Sequence, residues 1–300
     1  MQYTGEIAAL LTACCWTVTG LAFESAGKKV GSLAVNLIRL VLAFIFLTIY
    51  LKFARGEFFP PDAGKQQWIW LSLSGLVGLV IGDLFLFQSY VIMSARVSQL
   101  IMSLTPPFTA LISWMILGEV LTPTNWLGMI VTMAGICLVI LKREKNEGNR
   151  RKKLTTTYSL SGLLLALGGA LGQSIGLVLS KKGMGNYDPF ASTQIRVITG
   201  VAGFALIFLI QNHWKKAFKA IRHPSAMKRI TIGAIFGPFL GVSFSLMAVQ
   251  HTQAGIAATI MAIVPVLIIP PAVILLKEKV NWKEITGAVI AVSGVMLFFM

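Results

Sequence analysis

Charge is what this sequence has least of. Only 12% of its 300 residues are Asp, Glu, Lys or Arg, against roughly a quarter in a soluble domain. Together with 56% hydrophobic residues and a mean hydropathy of +0.78, this excludes a water-soluble globular chain. Cysteine is nearly absent. Cys14, Cys15 and Cys137 all lie in apolar runs, so neither a disulfide scaffold nor a thiolate metal site is expected. There are three histidines: His213 and His223 in a basic loop and His251 at a hairpin. They form no ligand cluster with Cys or Glu. No Ser–His–Asp arrangement, Gly-rich phosphate loop or Walker motif occurs, so an ATP-driven cycle would need a separate subunit. Neither catalysis nor a bound cofactor or metal is expected.

What is present is a series of apolar runs of about 20 residues, the length that crosses a hydrocarbon core. Ten spans are expected, at roughly 4–24, 32–53, 68–92, 95–118, 124–142, 158–180, 189–211, 229–250, 254–276 and 282–299. The fold class is an all-α, polytopic membrane protein. The first apolar run lacks a basic segment before it and leads straight into further spans. It is expected to be a span and not a cleavable signal. The net charge of +15 belongs to basic loops at a membrane face and points to no nucleic acid.

The chain repeats itself. Shifting Met102–Glu119 (MSLTPPFTALISWMILGE) by 159 residues places it on Met261–Glu278 (MAIVPVLIIPPAVILLKE), with Pro106 on Pro265 and Glu119 on Glu278. Gly78 and Gly82 fall on Gly237 and Gly241; further back, a shift of 157 pairs Arg39 with Arg196. The expected organisation is a five-helix unit at 1–142, a basic linker at 143–157 and a second five-helix unit at 158–300. An odd number of spans per unit inverts the second copy, the arrangement in which transporters bind substrate near the midplane between repeats. Nineteen of the 26 Lys and Arg fall in loops on one face, with Lys142–Lys153 richest, and five on the other. The positive-inside bias makes the basic face cytoplasmic and puts both termini outside.

Small residues mark the helix contacts. Gly78 and Gly82 in span 3 recur as Gly237 and Gly241 in span 8, and Gly168, Gly172 and Gly176 share a face of span 6. Such spacing lets backbones approach closely in lipid. Pro106, Pro107, Pro265, Pro270 and Pro271 are expected to bend or break spans 4 and 9, because proline removes a helix hydrogen bond. The freed carbonyls must face protein or a water-filled cavity.

A Gly-xxx-Gly span, a tight hairpin, a mid-span proline, then Leu117-Gly118-Glu119 and Trp126-Leu127-Gly128 together resemble the drug/metabolite transporter superfamily, EamA type. The second half carries Pro265, Leu276-Lys277-Glu278, Trp282 and Gly287, with Lys277 in place of the glycine. The resemblance covers nearly the whole chain. It implies a transporter of small metabolites in the plasma membrane, often working outward, with amino acids among its solutes. It also implies a site surrounded by spans 1, 3, 4, 6, 8 and 9.

Ionisable groups inside a membrane are costly and are functional candidates by default. Asp83 is the one acid deep in a span; Val242 stands at its repeat equivalent. It reads either as a proton-coupling or cation-binding group, or as a structural partner of Arg39. Tyr90 follows two turns along the same face. Arg39 and Arg196 either snorkel to an interface or hold a carboxylate through two hydrogen bonds. Trp16 and Gln173 occupy equivalent positions; Gln99, Gln194 and Ser243 add uncharged polarity, and Pro106 and Pro265 mark the broken spans. These residues are the candidate binding or coupling set for a small-molecule substrate, with protons as a candidate coupling ion. Glu119 and Glu278 read as helix-end acids. A membrane-embedded enzyme or lipid-handling scaffold, and a passive channel, are the alternative readings. The first lacks a catalytic constellation and the second a ring of like charges.

Overall fold

In lipid no water takes up backbone N–H and C=O groups, so an apolar run must satisfy them within itself as a helix. The computed structural model describes residues 3–93, 98, 101–140, 159–267 and 282–299, and among these it contains helices and no strand. In chain order the helices are α1 (Thr4–Val30), α2 (Ser32–Arg55), α3 (Lys65–Ile92), α4 (Thr105–Leu117), α5 (Pro123–Ile140), α6 (Leu160–Met184), α7 (Pro189–Gln211), α8 (Trp214–Ile221), α9 (Pro224–His251), α10 (Ala254–Met261), α11 (Val264–Leu267) and α12 (Trp282–Met296). Six of them, α1, α2, α3, α6, α7 and α9, are long and apolar enough to cross a membrane.

The remaining apolar helices are shorter. Expected spans 4, 5, 9 and 10 correspond to α4, α5, α10 with α11, and α12. By length and composition, six helices among the described residues can cross a membrane, and the shorter apolar helices stand where the other four spans are expected. The Lys142–Lys153 linker, the 94–96 hairpin, Gln99, Pro270, Pro271, Lys277 and Glu278 lie outside the described residues.

Both spans are broken beside their prolines. Pro106 sits in the first turn of α4 and Pro265 in α11, each just after a break in the helix, at Ser103–Leu104 and Ala262–Ile263. Proline fits a first turn because its missing N–H has no helical partner there. The prolines therefore start helices after the breaks and do not kink through them. The two breaks differ by the same 159 residues as the repeat.

A second paired irregularity carries a proline in only one of its two copies. α3 contains a π turn at Gly75–Gly82, and α9 one at Ile235–Gly241 with Pro238 inside it. The basic loop after α7 also carries an unpredicted short helix, α8. Its alanines Ala217 and Ala220 are buried while Phe218 and Ile221 are exposed.

Packing joins the two halves of the sequence. α1 lies along α9, α3 along α6, α2 along α7, and α5 along α12. Glycines set these distances. A Cβ on Gly172 would lie 2.7 Å from Gly82 Cα, and one on Gly176 2.8 Å from Gly78 Cα. Between α5 and α12, a Cβ on Gly135 would meet Ala291 N at 2.3 Å. Apolar burial alone does not drive helices together in lipid; close packing and interhelical hydrogen bonds do. Ser74 supplies one such bond by donating to Gly176 O at 2.6 Å. A single residue, Gly31 at φ +86, links α1 to α2, and no heavy atom lies near where its Cβ would be. Its positive φ lets the chain reverse without a loop.

Candidate functional site

The polar centre grows from two local features. α2 places Asn36 and Arg39 one turn apart on a buried face, and Asp83 follows directly on the π turn of α3. Arg39 Nη2 pairs with Asp83 Oδ2. Arg39 Nε donates to Asn36 Oδ1 at 2.9 Å, and Asn36 Nδ2 donates to the Asp83 carbonyl at 3.4 Å. From α6, Gln173 Nε2 donates to Asp83 Oδ1 at 2.6 Å and to Gly78 O at 3.4 Å. Both carboxylate oxygens are thus engaged. The Arg39 guanidinium also lies 4.5 Å from the Phe87 ring centre and 5.6 Å from that of Phe23. Removing one partner of such a buried pair leaves an uncompensated charge.

Beside this network lies a cavity of about 130 Å³. Trp16, Arg39, Asp83, Tyr90, Gln173 and Arg196 all line it, so six of the candidate residues converge. α1, α3, α6, α9 and α10 contribute walls, as does Thr105 at the start of α4. α2 and α7 each add an arginine, which the resemblance did not imply. Phe23, Leu79, Leu177, Met261 and Val264 make much of the lining apolar.

Arg196 differs from its repeat mate. It is 3% exposed, its Nε has no hydrogen-bond partner, and no carboxylate pairs with it among the described residues. A Cβ on Gly78 would lie 3.2 Å from its Nη2, so the glycine makes room for the guanidinium. Both arginines are buried in the interior and neither snorkels outward, which corrects the interfacial-anchor reading.

Other candidates lie elsewhere. Gln194 Nε2 donates to Thr48 Oγ1 at 3.0 Å and Phe58 O at 2.9 Å, tying α7 to α2 and the loop after it. Ser243 donates back to Phe239 O at 2.6 Å within its own helix, and Ser245 lines the cavity in its place. Pro106 and Pro265 do not line it; their neighbours Thr105 and Val264 do. Thr105 had no distinguishing mark in the sequence beyond preceding a proline, yet its Oγ1 is buried without a partner.

Two polar clusters lie beyond the cavity. Glu119 Oε1 is 2.5 Å from Lys181 Nζ, while its Oε2 accepts from Ala254 N at 2.9 Å at the start of α10. Lys181 also donates to Thr252 O at 2.5 Å, and Thr252 Oγ1 donates to Glu6 Oε1 at 2.9 Å. Glu119 is thus more than the solvated helix-end acid that its position suggested. In the second cluster, Asp62 accepts from Tyr187 Oη at 2.6 Å and pairs with Arg55. The Tyr187 hydrogen bond, followed by Arg55, holds the Asp62 carboxyl below its ordinary range. Burial, and then the bond to Asp62, pushes the Tyr187 phenol up to about 12.

Charged groups this deep in an apolar bundle are retained where a solute or ion has to be met, and the bundle has the architecture of an integral multi-pass membrane transporter. The EamA-like transporter family matches residues 3–141 and again 160–300, and the chain belongs to that family. It is similar to the human protein "Solute carrier family 35 member G1", 24% identical over 287 residues, covering 95% of this chain and 76% of that one. An uncharacterized transporter of Clostridium kluyveri is 24% identical over 75% of this chain and 70% of its own. "Uncharacterized transporter YvbV" of Bacillus subtilis is 23% identical over 64% of this chain and 59% of its own. One solved crystal structure superposes with a TM-score of 0.74 at 18% identity, covering 99% of this chain and 97% of that one. At that identity the likeness shows the fold.

Proposed function

We propose that the protein is a secondary transporter that moves small amphipathic metabolites outward across the plasma membrane. The central cavity is the substrate site and is exposed alternately to the two faces. One observation carries this reading: helices from both halves of the sequence supply the buried arginines, Asp83 and Gln173 around one enclosure. Rocking one half against the other would then open that enclosure to either side. The basic face is the cytoplasmic one on this reading. A proton-coupled cycle would use Asp83.

Reconstitution into sealed vesicles tests the reading. Vesicles preloaded with unlabelled amino acids or organic acids should accumulate the matching labelled solute by counterflow. The pH-gradient arm reads proton coupling. Absence of counterflow for every solute class, with the protein shown folded and inserted, would reject the transporter mechanism.

A further inference from the structure

Among the described residues, the charges around the cavity do not cancel. Asp83 is already shared between Arg39 and Gln173, and its two oxygens are both occupied. Arg39 is in turn held by Asn36 and stacked near Phe87. That group is neutral as a whole. Arg196 remains as one buried positive charge with an unpartnered Nε. Where the repeat offset would place a second acid there is Val242, which itself lines the cavity. Thr105 adds a second buried, unpartnered polar atom to the same walls. An unpaired buried cation is expensive, and a planar guanidinium matches a carboxylate through two parallel bonds.

We propose that the cavity binds the carboxylate of a small, apolar-bodied organic monoacid, with Arg196 as its ion partner and the Thr105 hydroxyl as a second contact. This proposal rests on the transport reading above and names its substrate class. The remaining walls, Phe23, Leu79, Leu177 and Met261 among them, suit an aliphatic or aromatic body. An amine is disfavoured. A substrate ammonium would add a positive charge where two arginines already face one carboxylate, and that carboxylate, Asp83, is paired with Arg39. Zwitterions and cations of the same body should therefore bind worse than the simple acid. A monoacid brings the charge of the cavity to zero, whereas a diacid overshoots it.

The test uses matched trios that keep the body and change the head group: isocaproate, leucine and isoamylamine, then phenylpropionate, phenylalanine and phenethylamine. Binding to the purified full-length protein is read by Trp fluorescence and by ligand-induced thermal stabilisation, and flux by counterflow in vesicles. In at least one trio the acid should bind about tenfold or more tightly than the zwitterion and the amine. Arg196→Gln should weaken acid binding by about tenfold or more, as expected for loss of a charged hydrogen-bonded pair. Arg196→Lys should lose less, and Thr105→Val roughly fivefold. A preference for the amine or the zwitterion, acid binding unchanged in a folded Arg196→Gln, or no binding by any member of either trio would each overturn the proposal. Should Arg196→Gln fail to fold, the head-group order in the natural protein and the Thr105→Val result decide. Head-group selectivity without counterflow would support the carboxylate site and count against the transporter reading. Counterflow that favours amino acids or amines would do the reverse.

Discussion

Lys181 and Glu119 form an ion pair, Nζ to Oε1 2.5 Å, between α6 and the connection from α4 to α5. The hydrogen bond from Thr252 to Glu6 near the first turn of α1 places this pair at the end of the bundle where α1 begins. Both side chains are mostly buried, at 21% and 15% exposure. The pair therefore ties together four chain segments that must separate if the cavity is to open toward that end.

Lys181→Gln should loosen that closure. With Cys14, Cys15 and Cys137 replaced, a cysteine at Ser245 should react several-fold faster with a membrane-impermeant maleimide added from that side. Unchanged labelling would show that the contact does not restrain opening. Lys181→Arg, which keeps the charge, should label as the parent does.

Arg39 and Asp83 should behave as one unit. Asp83→Asn alone leaves Arg39 buried without its counter-ion, and breaking such a pair costs about 3–5 kcal/mol. Arg39→Gln alone strands the carboxylate in the same way. The double substitution should be clearly more stable than the sum of the two single losses predicts, a coupling that a double-mutant cycle isolates. Thermal unfolding in detergent measures it. Additive losses would refute the pairing.

The glycine contacts make a steric prediction. Gly135→Leu should separate α5 from α12, because even its Cβ would meet Ala291 N at 2.3 Å. Gly20→Leu should be far milder, since no heavy atom lies within 4 Å of its Cβ position. The midpoint of thermal unfolding should fall by several degrees in the first and by little in the second. Equal effects would mean that α5 and α12 tolerate being pushed apart.

The Asp62–Tyr187 contact should depend on pH in a window set by both groups. The Asp62 carboxyl is depressed by the Tyr187 bond and then Arg55, so its contribution is present above the ordinary carboxylate range and is lost as pH falls through the folded value. The Tyr187 phenol is raised to about 12, so its contribution is complete below the ordinary phenol range, near 10, and is lost as pH rises toward 12. Proteolytic nicking of the loop between α2 and α3 should be slow and flat between these limits and faster outside both. Tyr187→Phe should raise the baseline and weaken the acid limb. An unchanged acid limb would show that Asp62 does not hold the loop.

Much of the fold was legible because lipid allows few choices: an apolar run of sufficient length must be a helix, and α1, α2, α3, α6, α7 and α9 lie where the runs are. The glycines of α6 facing Gly78 and Gly82 were legible too, since small residues at helical spacing have one economical use in a bilayer. The residues of the site were harder. Polarity in an apolar helix shows that a partner exists but not its direction, so Gln194, turned to Thr48 and Phe58, looked no different from Gln173, turned to Asp83. The pairing of Asp83 with Arg39 was one of two open readings, and the geometry shows that pair; a coupling role for Asp83 belongs to the proposed cycle. Thr105 and the unpartnered Nε of Arg196 depend on which way helices face after their irregular turns, and spacing rules that assume a uniform α-helix do not carry that information.

The two π turns have a consequence for the phase of the helices. An α-helix advances about 100° per residue, so a wider turn that takes in one additional residue rotates everything beyond it by roughly that angle. Asp83 and Tyr90 lie immediately past the irregularity at Gly75–Gly82, and Val242 and Ser245 past the one at Ile235–Gly241. Which side chains look into the cavity is thus set by a one-residue offset upstream, like the register of a vernier. Deleting one residue within Gly75–Gly82 would turn a different face of α3 beyond that point, without Asp83, toward Arg39.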